Sequence, residues 1–356
     1  MRVVAASSGA YPSPVTWEVP RKTAVTLMGQ FRAAHLRPLT LLHASELDRR
    51  ADARGRVRVW LALESLQVTG SFKVRGALAA LLRAKEQHGD EVRIVAASAG
   101  NHGAGVAYAA RALGLSATLV VPETAPEAKR ARIRGYGAEL LVFPSPFYDD
   151  AEAHAIARAK NEGAVFVSAY DDPFVATGNG GTLGLEIAAS LKRIPDVVIC
   201  PVGGGGLASG LGWALSTLET DDTSRKRCVW GVQSEASPAL ARSLETGVAV
   251  TRLTEEGETL AEGLEGGISE SAFERVRQLV AGVVVVTEAE IAAAMSFAYS
   301  DLGLVLEGSA AVALVPILGG LPDALATQDG DADVVVVLTG RNVDRARLLR
   351  LPHTDG

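Results

Sequence analysis

Val197-Val198-Ile199-Cys200-Pro201-Val202 runs without a polar residue straight into Gly203-Gly204-Gly205-Gly206-Leu207-Ala208-Ser209-Gly210. A strand with one wet face alternates apolar and polar residues, whereas a continuously apolar strand is covered on both faces, as in parallel sheets. The glycines supply the tight strand-to-helix turn that such a sheet requires. Further apolar, β-branched runs occur at 57–63, 92–97, 117–121, 139–143, 164–168, 228–232, 282–287 and 334–339. Ala-rich stretches with helical spacing lie between them, at 74–85, 103–113, 126–136, 151–161, 181–192, 206–218, 288–301 and 309–318. Alternating strand and helix predicts an α/β protein with doubly wound, mostly parallel sheets. A compact set of repeats at 80–168 reads as a small domain inserted into a larger, discontinuous one made of 1–79 and 169–356.

Composition agrees with that class. The chain has 356 residues, enough for about two domains, with 48% apolar and 21% charged residues, the reverse of a disordered balance. There are 37 glycines but only 5% aromatics, which suits tight βα turns better than β-sandwiches. The net charge of −6 is spread out, and no basic patch interleaved with aromatics suggests nucleic-acid binding. No apolar run reaches the ~18 residues of a membrane helix, and residues 1–14 do not read as a signal peptide. Cys200 and Cys228, each in a strand-like run, read as buried thiols in a reducing, cytoplasmic setting. The segment 328–333 reads as a surface loop and 351–356 as a frayed tail.

Ligands of α/β sheets sit at the carboxyl ends of strands, so the strand-to-helix turns are the candidate site. The run Gly203–Gly206 offers free N–H groups and a helix N-terminus, a natural seat for phosphate. Its spacing fits neither the G-x-G-x-x-G of NAD-binding folds nor the G-x-x-x-x-G-K-[ST] of a P-loop. Ala97-Ser98-Ala99-Gly100-Asn101-His102-Gly103 opens another helix, and its small residues suit a substrate carboxylate. In the third turn, Gln67-Val68-Thr69-Gly70-Ser71-Phe72-Lys73-Val74-Arg75-Gly76, a lysine lies between a Gly/Ser turn and an apolar helix. Burial there lowers a lysine pKa, as Schiff-base chemistry requires. A lysine for an aldehyde, glycines for a phosphate and a loop for a carboxylate together suggest pyridoxal 5'-phosphate.

The stretch Gly70–Ala77 resembles the active-site lysine motif of fold-type II (tryptophan synthase β-like) pyridoxal-phosphate enzymes, in the serine/threonine dehydratase and serine racemase family. The Ser98–Gly103 loop, the Gly203–Gly206 run, Tyr170-Asp171-Asp172-Pro173 and Leu338-Thr339-Gly340-Arg341-Asn342-Val343-Asp344 follow in the family's order, over about residues 36–345. The resemblance implies that Lys73 binds the cofactor aldehyde and moves protons. It implies Phe72 beside the ring, Asn101 on the ring oxygen, and Gly203, Gly204, Gly205, Gly206 and Leu207 at the phosphate. Thr339 stands where the family usually has Ser beside the pyridine nitrogen, and a neutral hydroxyl there favours β-elimination. Ser98, Ala99, Gly100, Asn101 and His102 are implied as the substrate-binding loop. A homodimer is expected by the same resemblance.

Departures narrow the expectation. Ala99 replaces the serine that family racemases use as a second acid/base, so dehydration of a β-hydroxy amino acid to a 2-oxo acid and ammonia is expected. Racemisation, β-replacement and, outside this chemistry, a plain nucleotide-binding module are the alternatives. Val74 stands where replacement enzymes usually carry Asp. Ala241, six residues after Glu235, stands where the family's cation site has an acidic residue, so no metal is expected. Glu307-Gly308-Ser309-Ala310 replaces Glu-Pro-Ala/Ser-Gly, and Thr177–Thr182 is one residue longer than the usual Ala-Gly-Gln-Gly-Thr. These changes suggest a larger or modified β-hydroxy amino acid as substrate. Because the chain ends soon after Asp344, feedback inhibition by isoleucine through a regulatory domain is not expected.

Overall fold

The computed structural model describes residues 1–6, 17–218, 227–253, 257–325 and 331–351. Its strands are β1 (Arg2–Ala5), β2 (Leu41–His43), β3 (Val57–Ala62), β4 (Arg93–Ala97), β5 (Ser116–Pro122), β6 (Glu139–Phe143), β7 (Val165–Phe166), β8 (Val197–Pro201), β9 (Val229–Ser234), β10 (Gly282–Val286) and β11 (Ala332–Val337). They form a seven-stranded sheet, β1-β10-β9-β8-β11-β3-β2, and a four-stranded sheet, β6-β5-β4-β7. All pairings are parallel except those of the edge strands β1 and β2.

Every apolar run in the sequence becomes one of these strands, and the reason is visible in the core. Along β8, Val197 and Ile199 join one buried cluster while Val198 and Cys200 join another. In β4, Ile94 and Ala96 face one layer and Val95 and Ala97 the opposite one. Successive side chains point to opposite faces, so covering both faces demands apolar residues at every position. Cys200 and Cys228 are both buried, and burial pushes the Cys200 thiol pKa up.

Three local readings change. Residues 328–330 of the expected loop lie outside the described residues, but Asp333 belongs to β11 and is buried. It accepts hydrogen bonds from Arg58 Nε (2.8 Å) and Trp60 Nε1 (2.9 Å), which is how a strand interior tolerates a carboxylate. The expected helix over 309–318 is broken into Gly308–Ala311, a 3₁₀ turn Val312–Leu314, and Val315–Leu318. Pro316 has no N–H to continue the helical ladder. The extra residue near 180 is absorbed as a π-turn, Thr177–Gly181, at the head of the helix Thr182–Leu191. Such single π-turns accommodate an inserted residue without ending the helix.

The order β8-β11-β3 has a direct consequence. Three adjacent parallel strands deliver their carboxyl ends to one edge of the large sheet. The glycine run follows β8, Thr339 follows β11, and the segment leading to Lys73 follows β3. The Ser98–His102 loop follows β4 in the small sheet.

Candidate active site

These four turns line one cavity of about 760 Å³. Its wall includes Phe72, Lys73, Ser98, Ala99, Gly100, Asn101 and His102, together with Gly203–Leu207 and Thr339. Residues distant in sequence and singled out from sequence alone therefore share one chamber.

Lys73 is the first residue of the helix Lys73–His88. The segment before it is zipped to the turn after β11: Ser65 N–H donates to Leu338 O (2.8 Å), Phe72 N–H to Thr339 O (3.0 Å), and Arg341 N–H to Gly70 O (2.9 Å). Gly70 has φ +77°, and a Cβ there would lie 2.5 Å from Asn342 Oδ1, so only glycine suits this turn. Lys73 is half-buried and opens onto the cavity. Its Nζ has only a long contact to Ala169 O (3.5 Å) and lies 5.4 Å from the Phe72 ring centre and 5.2 Å from that of Tyr170. Desolvation lowers its pKa to about 8, although the Glu307 carboxyl pulls the other way. An amine in that range keeps a nucleophilic neutral fraction of about a tenth near pH 7, far more than a solvated lysine does.

Gly203–Gly206 form the facing cradle. Gly205 has φ +84° and precedes the helix Gly206–Ser216. A Cβ on Gly204 would lie 2.8 Å from Tyr170 Cδ1, and one on Gly205 would lie 2.5 Å from Val276 Cγ2. Among the described residues no acceptor takes the N–H groups of Gly203, Gly204 or Gly205. Unclaimed N–H groups at a helix N-terminus are what an anion needs.

The floor carries a chain of amides that the motifs did not reveal. Asn342 Nδ2 donates to Thr69 O (3.0 Å) and to Asn101 Oδ1 (2.6 Å), and Asn101 Nδ2 donates to Glu307 Oε1 (2.7 Å). Burial raises the Glu307 pKa, while the Asn101 hydrogen bond opposes the shift. Asn342 belongs to the family-like stretch 338–344 and Glu307 to the altered segment 307–310, and the sequence assigns a role to neither. Their partnership with Asn101 joins positions more than 200 residues apart. His102 is buried, with Nε2 at 3.2 Å from Val167 O and Nδ1 unpaired. Desolvation, aided by Lys73, lowers its pKa to about 3, so it is a neutral imidazole at the helix start. Thr339 Oγ1 lies 3.5 Å from Ser309 O, buried at the lining. Glu235 is exposed and Ala241 buried. No cluster of metal-ligating side chains occurs among the described residues, and none of their helices is long and apolar enough to cross a membrane.

The family model described as pyridoxal-phosphate dependent enzyme matches residues 33–340. The chain belongs to that family, and its fold is the tryptophan synthase β-like, fold-type II arrangement. A catabolic L-threonine dehydratase of Staphylococcus aureus (strain USA300) is 38% identical over 293 residues, covering 82% of this chain and 80% of that protein. A solved aspartate racemase superposes with TM-score 0.82 at 26% identity, covering 95% of this chain and 99% of its own. The processed threonine deaminase isoform 2 of Solanum lycopersicum gives 0.79 at 26% identity, covering 98% and 96%. The cofactor of this family is pyridoxal phosphate, and the chamber fits it: glycine N–H groups that no acceptor claims among the described residues line the same cavity as a desolvated amine.

Proposed function

We propose that this enzyme is a dehydratase that converts a β-hydroxy amino acid into a 2-oxo acid and ammonia. The observation that carries the reading is Lys73 Nζ, partly desolvated in the cavity that also holds the unclaimed glycine N–H groups. Lys73 holds the cofactor aldehyde and is the base for the substrate Cα proton. The backbone of Gly203–Leu207 holds the phosphate. Phe72 would pack beside the ring, Asn101 would hold the ring oxygen, and the Thr339 hydroxyl would stand by the ring nitrogen. Residues 98–102 bind the substrate carboxylate. When bound, pyridoxal phosphate supplies the electron sink for charge developing at Cα. The substrate loses its Cα proton and its β-hydroxyl as water, and the enamine released regains a proton at carbon. Its hydrolysis returns one water and frees ammonia.

The names of the threonine dehydratase and threonine deaminase, and of a similar L-serine ammonia-lyase of Rhizomucor miehei, support threonine or serine as starting substrates. The aspartate racemase likeness favours racemisation as a second reading. Against it, Ala99 lines the cavity with no hydroxyl to serve as a second acid/base. Incubation with L-threonine or L-serine should yield 2-oxo acid and ammonia in equal amounts. Accumulation of the D-amino acid without 2-oxo acid would make racemisation the activity. Ala99→Ser should add measurable racemisation, read by chiral chromatography; none at all would remove position 99 from the argument.

Cofactor uptake should depend on pH through the same amine. Neutral Lys73 is the reactive form, and its pKa is lowered to about 8. The rate of uptake by cofactor-free protein should therefore climb about tenfold per pH unit below that value and level off above it. Stopped-flow absorbance follows it, and a rate still climbing to about pH 10 would indicate a solvated lysine. The reading also takes 80–168 as a small domain within a large domain of 1–79 and 169–356, in a cytoplasmic homodimer. Limited proteolysis and sedimentation test these assignments.

A further inference from the structure

The helix Glu127–Gly135 follows β5, and its residues 128, 129 and 132 line the cavity. That spacing of three and four is one helix face. It presents two cations, Lys129 and Arg132, to the chamber. Lys129 Nζ is 2.9 Å from Glu262 Oε2, and Arg347 pairs with the same carboxylate. Arg132 has no carboxylate partner among the described residues, yet its charge is felt by Glu307 on the floor. Of the other acids at the rim, Asp149 lies in the first turn of Tyr148–Glu162, and Asp344 sits at the N-cap position of Arg345–Leu348 without a side-chain cap hydrogen bond. Arg134, outside the cavity lining, is instead neutralised by Glu127 at 2.6 Å.

An exposed guanidinium that borders a reaction chamber, with no carboxylate partner among the described residues, is suited to a planar anion from the ligand. Building on the dehydratase reading, we propose that Arg132 is a specificity-determining residue selecting a β-hydroxy amino acid with a second carboxylate on its side chain. The Cα carboxylate goes to the Ser98–His102 loop and the side-chain carboxylate to Arg132.

The test compares holoenzyme turnover of 3-hydroxyaspartate and L-threonine, which differ at the side-chain terminus by carboxylate versus methyl. The wild type should show the higher kcat/KM for 3-hydroxyaspartate. Arg132→Ala should lower the ratio of the two kcat/KM values about ten- to hundredfold, the worth of a charge-assisted hydrogen bond. Arg134→Ala should leave the ratio unchanged. A preference for L-threonine, or an unaltered ratio in Arg132→Ala, overturns the proposal while leaving the dehydratase reading in place. If neither compound yields a 2-oxo acid, the dehydratase reading itself fails. Calorimetry with succinate against butyrate then decides on Arg132: tighter succinate binding, lost in Arg132→Ala, supports its role, and equal binding rejects it.

Discussion

Lys73→Ala should abolish 2-oxo acid formation and remove the visible absorbance of the bound cofactor, with little change in melting temperature. The loss follows from two roles placed on one amine: it holds the cofactor aldehyde and it moves the Cα proton. Positioned acid–base catalysis alone contributes about 10²–10⁴-fold, and loss of the covalent hold adds to that. Stability should be nearly untouched because the side chain contributes so little to packing. Its Nζ makes one contact at the limit of hydrogen bonding, and alanine is well tolerated at a first helical position. Removing a partly desolvated cation also relieves a cost rather than creating one. Activity assays, absorbance spectra and thermal melts on one preparation separate these effects. A dehydratase rate within tenfold of wild type would sink the mechanism, and a large fall in melting temperature would show that the loss of activity reflects unfolding.

How much of this was readable beforehand depends on the range of the interaction. The parallel strands were legible because burial on both faces writes itself into every residue of a run. The antiparallel edges β1 and β2 were not: Arg2–Ala5 and Leu41–His43 are short, partly exposed and carry no continuous apolar signal. The turns at 70–76, 98–103 and 203–206 were legible because their glycines and small residues are local requirements of geometry. The links between them were not. Glu307 meets Asn101 across 206 residues, and Asn342 meets it across 241. No spacing rule connects such positions, and only strand order brings them to one edge. Asp333 misled for the opposite reason: a polar local sequence suggested solvent, while its partners Arg58 and Trp60 come from the neighbouring β3.

The same long-range principle governs the largest expected stability effect, at Arg75. Its side chain is only 1% exposed, two residues after Lys73. Nε and Nη2 reach Glu64 Oε2 and Oε1, each at 2.8 Å, a bidentate pair, and Nη2 also reaches Glu186 Oε2 at 2.8 Å. Burial alone would lower the guanidinium pKa, but the two carboxylates outweigh it and raise it. Glu186 also accepts a hydrogen bond from Leu39 N–H at 3.2 Å. One side chain thus ties the turn after β3, the lysine helix and the helix Thr182–Leu191 together. Arg75→Ala should destabilise the protein by about 3–5 kcal/mol, because it strands Glu64 in the interior without its counter-charge. At ~2–4 °C per kcal/mol for a large domain, the melting temperature should fall by roughly 6–20 °C. Arg75→Lys should recover little, since an ammonium cannot span both carboxylates with a planar fork. Arg75→Met combined with Glu64→Gln should recover much more, because the stranded charge is then gone. If Arg75→Ala melts within about 1 kcal/mol of wild type, the triad behaves like a solvated surface pair and does not pin the start of the lysine helix. If it melts as expected, the apparent affinity for pyridoxal phosphate should weaken in the same variant at temperatures where it is still folded, since Lys73 and Arg75 share the first turn of one helix.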